Sequence, residues 1–433
     1  MHAEANALYF YRTARGDKFR IARPHAATRK EPPQLGVYVL VSPTAWLHVR
    51  PIENRGQACP AAALRCTCES LPWSGARRSQ GPGKVTPCEL SLYIDRYVSA
   101  DARGDQAASL SWLIAPDKFK GTHSAREAAV AIARGAGAAD ALDICPVADG
   151  GEGTMEILLG ALGGVLIDRV VHDPLGRSIN AALGIVNDGA LAIVEVARAS
   201  GLGLLSPSEF DAEGASTVGT GELIAAALNE GARTVVIAAG GSATTDGGSG
   251  AIQAIEAAGG LRSAKLIVLA DVSTPFERAA EVFGPQKGAD PSAVRRLTLR
   301  LQRQADALPR DPRGVPMTGA AGGLSGGLWA RYDATIVPGA RWVLDAVGFD
   351  ERLGRARAVI TGEGRLDSTT LEGKAVFEIA ARCARAGVPV HAVVGSSVLS
   401  AAESAQLSLT SIREASSTAD LEAAGRALQA SAS

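Results

Sequence analysis

Residues 234–271 read TVVIAAGGSATTDGGSGAIQAIEAAGGLRSAKLIVLAD, and this stretch indicates the fold class. Two apolar runs, TVVIAAG (234–240) and KLIVLAD (265–271), flank the helical pattern AIQAIEAAG (251–259). An apolar strand, a helix of about three turns and a second apolar strand are typical of a βαβ unit. Such a unit places its two strands parallel to each other, with the helix against the sheet.

The same alternation recurs in both directions along the chain. Strands are predicted at 112–116, 142–147, 357–362 and 388–395. A helix follows the first of them, opened by a capping box at Ser124–Glu127. The predicted fold class is therefore α/β, with a Rossmann- or flavodoxin-like, mostly parallel sheet.

Two stretches break this rhythm and predict a second, mixed α+β domain inserted into the first. Residues 169–197 form a predicted meander of three strands, with turns at Pro174–Gly176 and Asn187–Gly189. Residues 271–354 combine helical patterns with the glycine-rich run TGAAGGLSGGL. We expect the α/β domain to comprise 112–168, 215–270 and 355–433, and the inserted domain to comprise 169–214 and 271–354.

Residues 1–111 differ from the rest and predict an atypical, poorly ordered N-terminal extension. Their apolar periodicity is poor, apart from a strand-like run at Val37–Val41. Cys59, Cys66, Cys68 and Cys88 could form a zinc site, but they lack paired C-x₂-C spacing. The alternative is an extension that arises from a start codon placed too early, and we favour that interpretation.

Composition limits the partners. Lys+Arg 44 against Asp+Glu 45 gives a formal net charge of −1, which argues against nucleic acid or an anionic membrane surface. The sequence contains no apolar run long enough to span a bilayer and no secretory signal. We expect a cytoplasmic protein, a monomer or homodimer, whose partners are small molecules.

Four loops that follow predicted strands carry polar residues between glycines: 115–121, 148–154, 240–250 and 361–368. Ligands of parallel sheets bind beyond the carboxyl ends of the strands, so these loops are the candidate site. Solvated turns, helix caps and surface ion pairs would account for each loop taken alone. In 240–250, backbone N–H groups, hydroxyls and a helix N-terminus together favour an anion site over a purely structural role.

Together the loops supply what phosphoryl transfer requires: a backbone cradle, carboxylates for a metal ion and cations for the developing charge. No P-loop motif occurs, and no G-x-G-x-x-G follows a predicted strand. Two other hypotheses stay open on these residues alone. One is an NAD-linked oxidoreductase of a small hydroxy acid, and the other is a non-enzymatic anion-binding module.

Seven motifs, in order, resemble the type-1 glycerate kinase family: IAPDKFKGTHSAREAA, ADGGEGT, STVGTGELI, GGSATTDGGSG, FGPQKGA, GAAGGLSGGL and ITGEGRLDSTTLEGKA. The resemblance covers about residues 112–397. It implies a two-domain kinase that uses ATP and Mg²⁺ to phosphorylate D-glycerate in a cleft, giving 2-phosphoglycerate or 3-phosphoglycerate. The family has Ser where this chain has Lys118, and this cation could alter the acceptor site.

We assign roles on that basis. The residues expected to take part in catalysis are Asp117, Lys120, Asp149 and Arg365, with Asp149 orienting the attacking hydroxyl. The residues expected to hold ATP phosphates are Gly240, Gly241, Ser242, Thr244, Gly247 and Gly248. Acceptor-binding residues are Glu152, Glu363 and Lys374, and the expected Mg²⁺ ligands are Asp246 and Asp149.

Overall fold

The computed structural model describes residues 111–137 and 141–431, together with four short strands nearer the N-terminus. The chain divides into two compact units, residues 1–107 and 108–433. In the first unit, β1 (Tyr9–Arg12), β2 (Lys18–Ile21), β3 (Val37–Ser42) and β4 (Ala45–Val49) form an antiparallel sheet in that order.

The predicted extension 1–111 therefore contains regular structure at these four places. The sequence predicted only the strand at 37–41, because runs of four or five residues are too short to show a clear period. The four cysteines of the zinc hypothesis lie outside the described residues.

The second unit contains a five-stranded, fully parallel sheet. Its strands are β5 (Ser111–Pro116), β6 (Leu142–Ile144), β13 (Ala356–Glu363), β14 (Val390–Val394) and β15 (Ser411–Glu414), in the order β15-β14-β13-β5-β6. The first strand in sequence lies beside both the second and the third. This is the flavodoxin-like order, and the predicted α/β class is confirmed.

A six-stranded mixed sheet is inserted between β6 and β13. Its strands are β7 (Val165–His172), β8 (Ser178–Val186), β9 (Leu191–Glu195), β10 (Thr234–Ala238), β11 (Lys265–Ala270) and β12 (Thr335–Pro338). The meander β7-β8-β9 is antiparallel, and β9 to β12 are parallel. Both the meander and the parallel pair β10-β11 lie where the sequence predicted them.

The sheet ladders correct the predicted division of the second unit. Residues 215–270 were grouped with the five-stranded sheet, but their strands β10 and β11 pair with β9 and β12 in the inserted sheet. Apolar patterns show that a strand is buried but not which sheet it joins. The register of β9 with β10, from Leu191 opposite Thr234 to Glu195 opposite Ala238, decides the grouping.

Helices cover both sheets. They are α1 (Ala125–Ala136), α2 (Thr154–Leu162), α3 (Val196–Ser200), α4 (Val218–Asn229), α5 (Ser249–Ala257), α6 (Ala279–Phe283), α7 (Pro291–Ala307), α8 (Leu324–Tyr332), α9 (Gly339–Ala346), α10 (Phe349–Leu353), α11 (Ala375–Ala386), α12 (Ala401–Gln406) and α13 (Thr418–Ser431). Helix α1 begins at the predicted capping box, in which Glu127 N–H donates to Ser124 Oγ at 3.2 Å. Within the described residues, no helix combines the length and apolar character needed to cross a bilayer.

One apolar core joins the two sheets. It combines Leu113 and Val359 of the five-stranded sheet with Ile193, Val236 and Leu269 of the six-stranded sheet, and helices α2, α9 and α11 contribute to it. Because burial of apolar side chains is the main favourable term in folding, this shared core fixes the sheets relative to each other. It thereby fixes the loops at the ends of their strands.

Candidate active site

The centre of the five-stranded sheet is where a ligand site is expected. β5 and β13 are neighbours, and their helical connections leave in opposite directions, which opens a crevice beyond their carboxyl ends. Asp117 follows β5 directly, and its backbone N–H donates to the Gly362 carbonyl at 2.8 Å. Glu363 is the last residue of β13. Both predicted side chains therefore belong to one crevice.

The turn after β6 reaches from this crevice to the six-stranded sheet. Gly150 has φ +96°, a conformation that favours glycine. A Cβ on Gly240 would lie 2.6 Å from Gly151 Cα, and one on Gly339 would lie 2.1 Å from the Asp149 carbonyl oxygen. Only glycines allow these backbones to approach so closely, and the contacts hold Asp149 between the two sheets.

Lys118 links two of the carboxylates. Its Nζ lies 3.2 Å from Asp149 Oδ1 and 3.9 Å from Asp117 Oδ1. Asp149 Oδ1 also accepts a hydrogen bond from the Gly151 N–H at 3.1 Å. Lys118 lies in the candidate loop 115–121 but was assigned no role from the sequence, and the structure makes it an integral part of the site.

Burial and repulsion separate the pKa values of the carboxyl groups. Burial, together with the charge of Asp149, raises the pKa of Asp117 to about 8. Burial would also raise the pKa of Asp149, but the charge and hydrogen bond of Lys118 hold it below its ordinary value. Burial would lower the pKa of Lys118, but the two carboxylates raise it above its ordinary value. Asp149 and Lys118 thus form a charged pair beside an Asp117 that titrates near neutral pH.

Three further groups complete the cluster. Burial and the charge of Asp149 raise the pKa of Asp271 to about 6. Burial raises the pKa of Glu363 to about 7, while Thr370 Oγ1 donates to its Oε1 at 2.7 Å. The charge of Lys374 acts on Asp149, Asp271 and Glu363. We call these six residues the strand-end cluster: Asp117, Lys118, Asp149, Asp271, Glu363 and Lys374.

The remaining predicted polar side chains lie at the margin of the cluster. Lys120 and Glu152 are exposed, and both line a cavity that also contains Asp117 and Lys118. The Arg365 side chain is 64% exposed, and its Nε lies 3.6 Å from Asp367 Oδ2. Gly364 packs against the backbone of Phe119 and Lys120, so the loops that carry Lys120 and Arg365 touch each other.

The loop 240–250 differs from the prediction. Gly240 and Gly241 are accessible, but Ser242, Thr244, Gly247 and Gly248 are buried. A Cβ on Gly247 would lie 2.3 Å from Gln304 Oε1, and one on Gly248 would lie 3.0 Å from Leu324 Cα. The glycines 247 and 248 therefore allow close packing against α7 and α8, and we do not retain them, or Thr244, as phosphate contacts.

Asp246 also has a structural environment. Its Oδ2 accepts hydrogen bonds from the Thr217 N–H, the Thr217 hydroxyl and the Gly250 N–H at 2.8–3.2 Å, and its Oδ1 accepts from the Gly248 N–H at 3.1 Å. It thus caps the start of α5 and ties that helix to Thr217, which precedes α4. Because both oxygens are engaged with the protein, the prediction of Asp246 as a Mg²⁺ ligand is not retained.

Three residues of interest were not predicted as site residues. Asp271 was seen only as the end of a strand, although an acidic residue at the carboxyl end of a parallel strand is itself a signal. Lys118 was seen as a departure. Lys287, in the motif FGPQKGA, is 2% exposed, and its Nζ donates to Ser242 Oγ at 3.0 Å and to the Thr244 carbonyl at 2.5 Å.

Comparisons with known proteins agree with the ordered motifs. The family described as "Glycerate kinase family" matches residues 112–259 and 256–432. The glycerate kinase of Bacillus subtilis (strain 168) is 41% identical over 323 residues, which cover 66% of this chain and 84% of the relative. The glycerate 2-kinase of Escherichia coli (strain K12) is 36% identical over 322 residues, covering 66% of this chain and 84% of the relative.

A solved structure gives the same result. The crystal structure of a candidate glycerate kinase 2 from Salmonella typhimurium LT2 is similar with a TM-score of 0.65 and 32% identity, and the match covers 75% of this chain and 98% of that one. The family match spans well over half of the chain, and the fold agrees. The chain therefore belongs to the glycerate kinase family.

Proposed function

We propose that this protein transfers the γ-phosphoryl group of ATP to D-glycerate and releases 2-phosphoglycerate. The observation that carries the proposal is the strand-end cluster, in which four carboxyl groups and two lysines from both sheets act on one another electrostatically. The names of the E. coli and Salmonella relatives support glycerate as the acceptor and its 2-position as the site of transfer.

The cluster fits Mg²⁺. Carboxylate oxygens are its preferred ligands, and a cation here would relieve the repulsion that helps to raise the pKa of Asp117 and Asp271. Among the described residues, no three or more His, Cys, Asp or Glu side chains form a set that could hold a metal ion. Mg²⁺ in kinases usually takes one or two carboxylates and completes its shell with phosphates and water. We therefore assign Asp149 and Asp271 as its ligands.

When bound, Mg²⁺ supplies neutralisation of the charge on the phosphate oxygens. The protein's own groups do the rest. Asp117 in its ionised form accepts the proton of the attacking glycerate hydroxyl. Because burial raises its pKa to about 8, that form is the minority one at pH 7 in the unliganded protein. Lys118 keeps Asp149 ionised and in place. Lys374 and Arg365 neutralise the glycerate carboxylate, which leaves Lys120 for the phosphates.

The test combines product analysis with one substitution. The wild-type protein with ATP, Mg²⁺ and D-glycerate should yield 2-phosphoglycerate by ³¹P NMR. Asp117→Asn should lower kcat by about 10²-fold or more, because the proton acceptor is lost. The control Asp306→Asn changes an exposed carboxylate on α7 that pairs with Arg313, and it should leave kcat unchanged.

Two results would contradict the proposal. One is a wild-type protein that consumes no ATP in the presence of glycerate. The other is a folded Asp117→Asn variant with the kcat of wild type, which would remove Asp117 from the mechanism.

A further inference from the structure

A cavity of about 550 Å³ adjoins the strand-end cluster. Its inner end is formed by Asp117 and Lys118, and its walls are the loop 119–126, the residues at the end of β6 and one side of α2. Pockets that hold cofactor-sized ligands have volumes of about 300–1,000 Å³. A three-carbon acid would leave most of this space empty.

Two cations that line the cavity have no carboxylate partner among the described residues. Lys120 and Arg126 are exposed and line it, and neither forms an ion pair with any residue that the structure describes. The other arginines in the lining are engaged, since Arg198 pairs with Glu195 and Glu156 and Arg352 pairs with Asp143. Free cations beside a carboxylate cluster suit the phosphates of a Mg²⁺–nucleotide.

One part of the lining is apolar, although Glu152 and Glu156 also line the cavity on the side of α2. Ile144 is 42% exposed, Ile157 is half-buried and Ala161 is exposed, and all three line the cavity together with Pro146. Burying this apolar surface under a flat ring would be favourable, because apolar area is removed from water. Such a wall gives a charged three-carbon acid nothing to bind, but it suits a nucleobase.

The predicted alternative place for the nucleotide is already filled. In the loop 240–250, Gly247 and Gly248 pack against α7 and α8, and a Cβ on Gly322 would lie 1.9 Å from the Thr244 carbonyl oxygen. The backbone at Gly247, Gly248 and Gly322 is therefore too closely packed to receive a phosphate at these three glycines.

We propose that this cavity, on the side of the five-stranded sheet, is the nucleotide subsite. Phosphates lie at Lys118, Lys120 and Arg126, and the base lies against Ile144, Ile157 and Ala161. The inference rests on the proposed function and adds to it the position and orientation of the phosphoryl donor.

The test places a large side chain on the apolar wall. Ala161 is exposed on α2, so Ala161→Trp can fold while it occupies the cavity. The matched control is Ala307→Trp, because Ala307 is an exposed helical alanine on α7 that does not line the cavity. Binding of ADP–Mg²⁺ and of tripolyphosphate–Mg²⁺, which has no base, is measured by titration calorimetry. Steady-state kinetics give KM for ATP and for glycerate, and a melting curve confirms folding.

Ala161→Trp should raise the Kd of ADP and the KM of ATP at least about tenfold, a change of roughly 1.4 kcal/mol. The Kd of tripolyphosphate and the KM of glycerate should stay within about threefold of wild type, and Ala307→Trp should resemble wild type. Unchanged ADP affinity in folded Ala161→Trp would overturn the subsite. An equal loss of affinity for tripolyphosphate would overturn the proposed orientation, in which the base lies against the apolar part of the lining. A wild-type protein that binds ADP in this way but does not phosphorylate glycerate would instead refute the proposed function.

Discussion

Gly339→Ala tests whether the position of Asp149 controls the reaction. Gly339 is buried at the first position of α9, and it is not one of the residues assigned to a substrate or metal. An added Cβ would lie 2.1 Å from the Asp149 carbonyl oxygen, whereas real Cβ atoms essentially never come closer than 3.0 Å. The contact must therefore open by at least 0.9 Å (3.0 − 2.1), and we expect the Asp149 turn to take up most of that shift because Gly339 is held at the buried start of α9.

The magnitude follows from that displacement. A shift of about 1 Å in a catalytic group costs about 10²-fold in rate. Overpacking also costs about 1–3 kcal/mol of stability, which a domain of this size should survive. We expect kcat/KM for glycerate to fall by about 10²-fold in a folded variant.

The assay is steady-state phosphorylation of glycerate beside a thermal melt. Gly203→Ala is the control, because a Cβ there meets nothing within 4 Å, and its kcat/KM should equal that of wild type. A folded Gly339→Ala variant with kcat/KM within about threefold of wild type would refute the argument that close glycine contacts set the geometry of Asp149.

Three further predictions concern charged groups. Binding of ADP–Mg²⁺ at pH 7 should release protons, because a cation favours the ionised forms of Asp117 and Asp271, whose pKa values are raised to about 8 and about 6. Calorimetry in two buffers of different ionisation enthalpy measures the number of protons released. Binding without proton release at pH 7 would contradict the prediction. Wild type should gain stability relative to Lys287→Met as pH rises from about 7 towards 10.5. Burial lowers the pKa of Lys287 to about 7 in the folded protein, so in this pH range the unfolded chain binds a proton at Lys287 that the folded protein does not. Denaturant unfolding at pH 7 and pH 10 measures the difference in unfolding free energy between the two proteins. Asp246→Asn should lower the free energy of unfolding by about 1–3 kcal/mol and leave the Mg²⁺ dependence of the rate unchanged, whereas a stable variant that needs more Mg²⁺ would restore Asp246 as a ligand.

The sequence predicted the secondary structure better than the grouping of strands. Buried strands such as 112–116 and the meander with turns at 174–176 and 187–189 were visible, because their patterns are local. The assignment of 215–270 to a sheet depended on which strand lies beside β10, and no local pattern contains that information.

The site was predicted in part for a similar reason. Asp117, Asp149, Glu363 and Lys374 lie together because each lies at or beyond the carboxyl end of a parallel strand, a rule that applies without coordinates. The glycines of 240–250 misled the prediction. A glycine that leaves room for a phosphate looks the same in sequence as one that leaves room for a helix, and Gly247 and Gly248 are of the second kind.

The strand-end cluster draws its acids from two sheets: Asp117 and Glu363 follow strands of one, and Asp271 follows a strand of the other. The five-stranded layer, produced as an isolated fragment, would carry five of the six residues of the strand-end cluster but would lack Asp271, one of the two proposed Mg²⁺ ligands. The rate of glycerate phosphorylation should therefore depend on the correct packing of both sheets. A substitution that loosens the packing of the six-stranded sheet should therefore lower the activity before the five-stranded sheet unfolds.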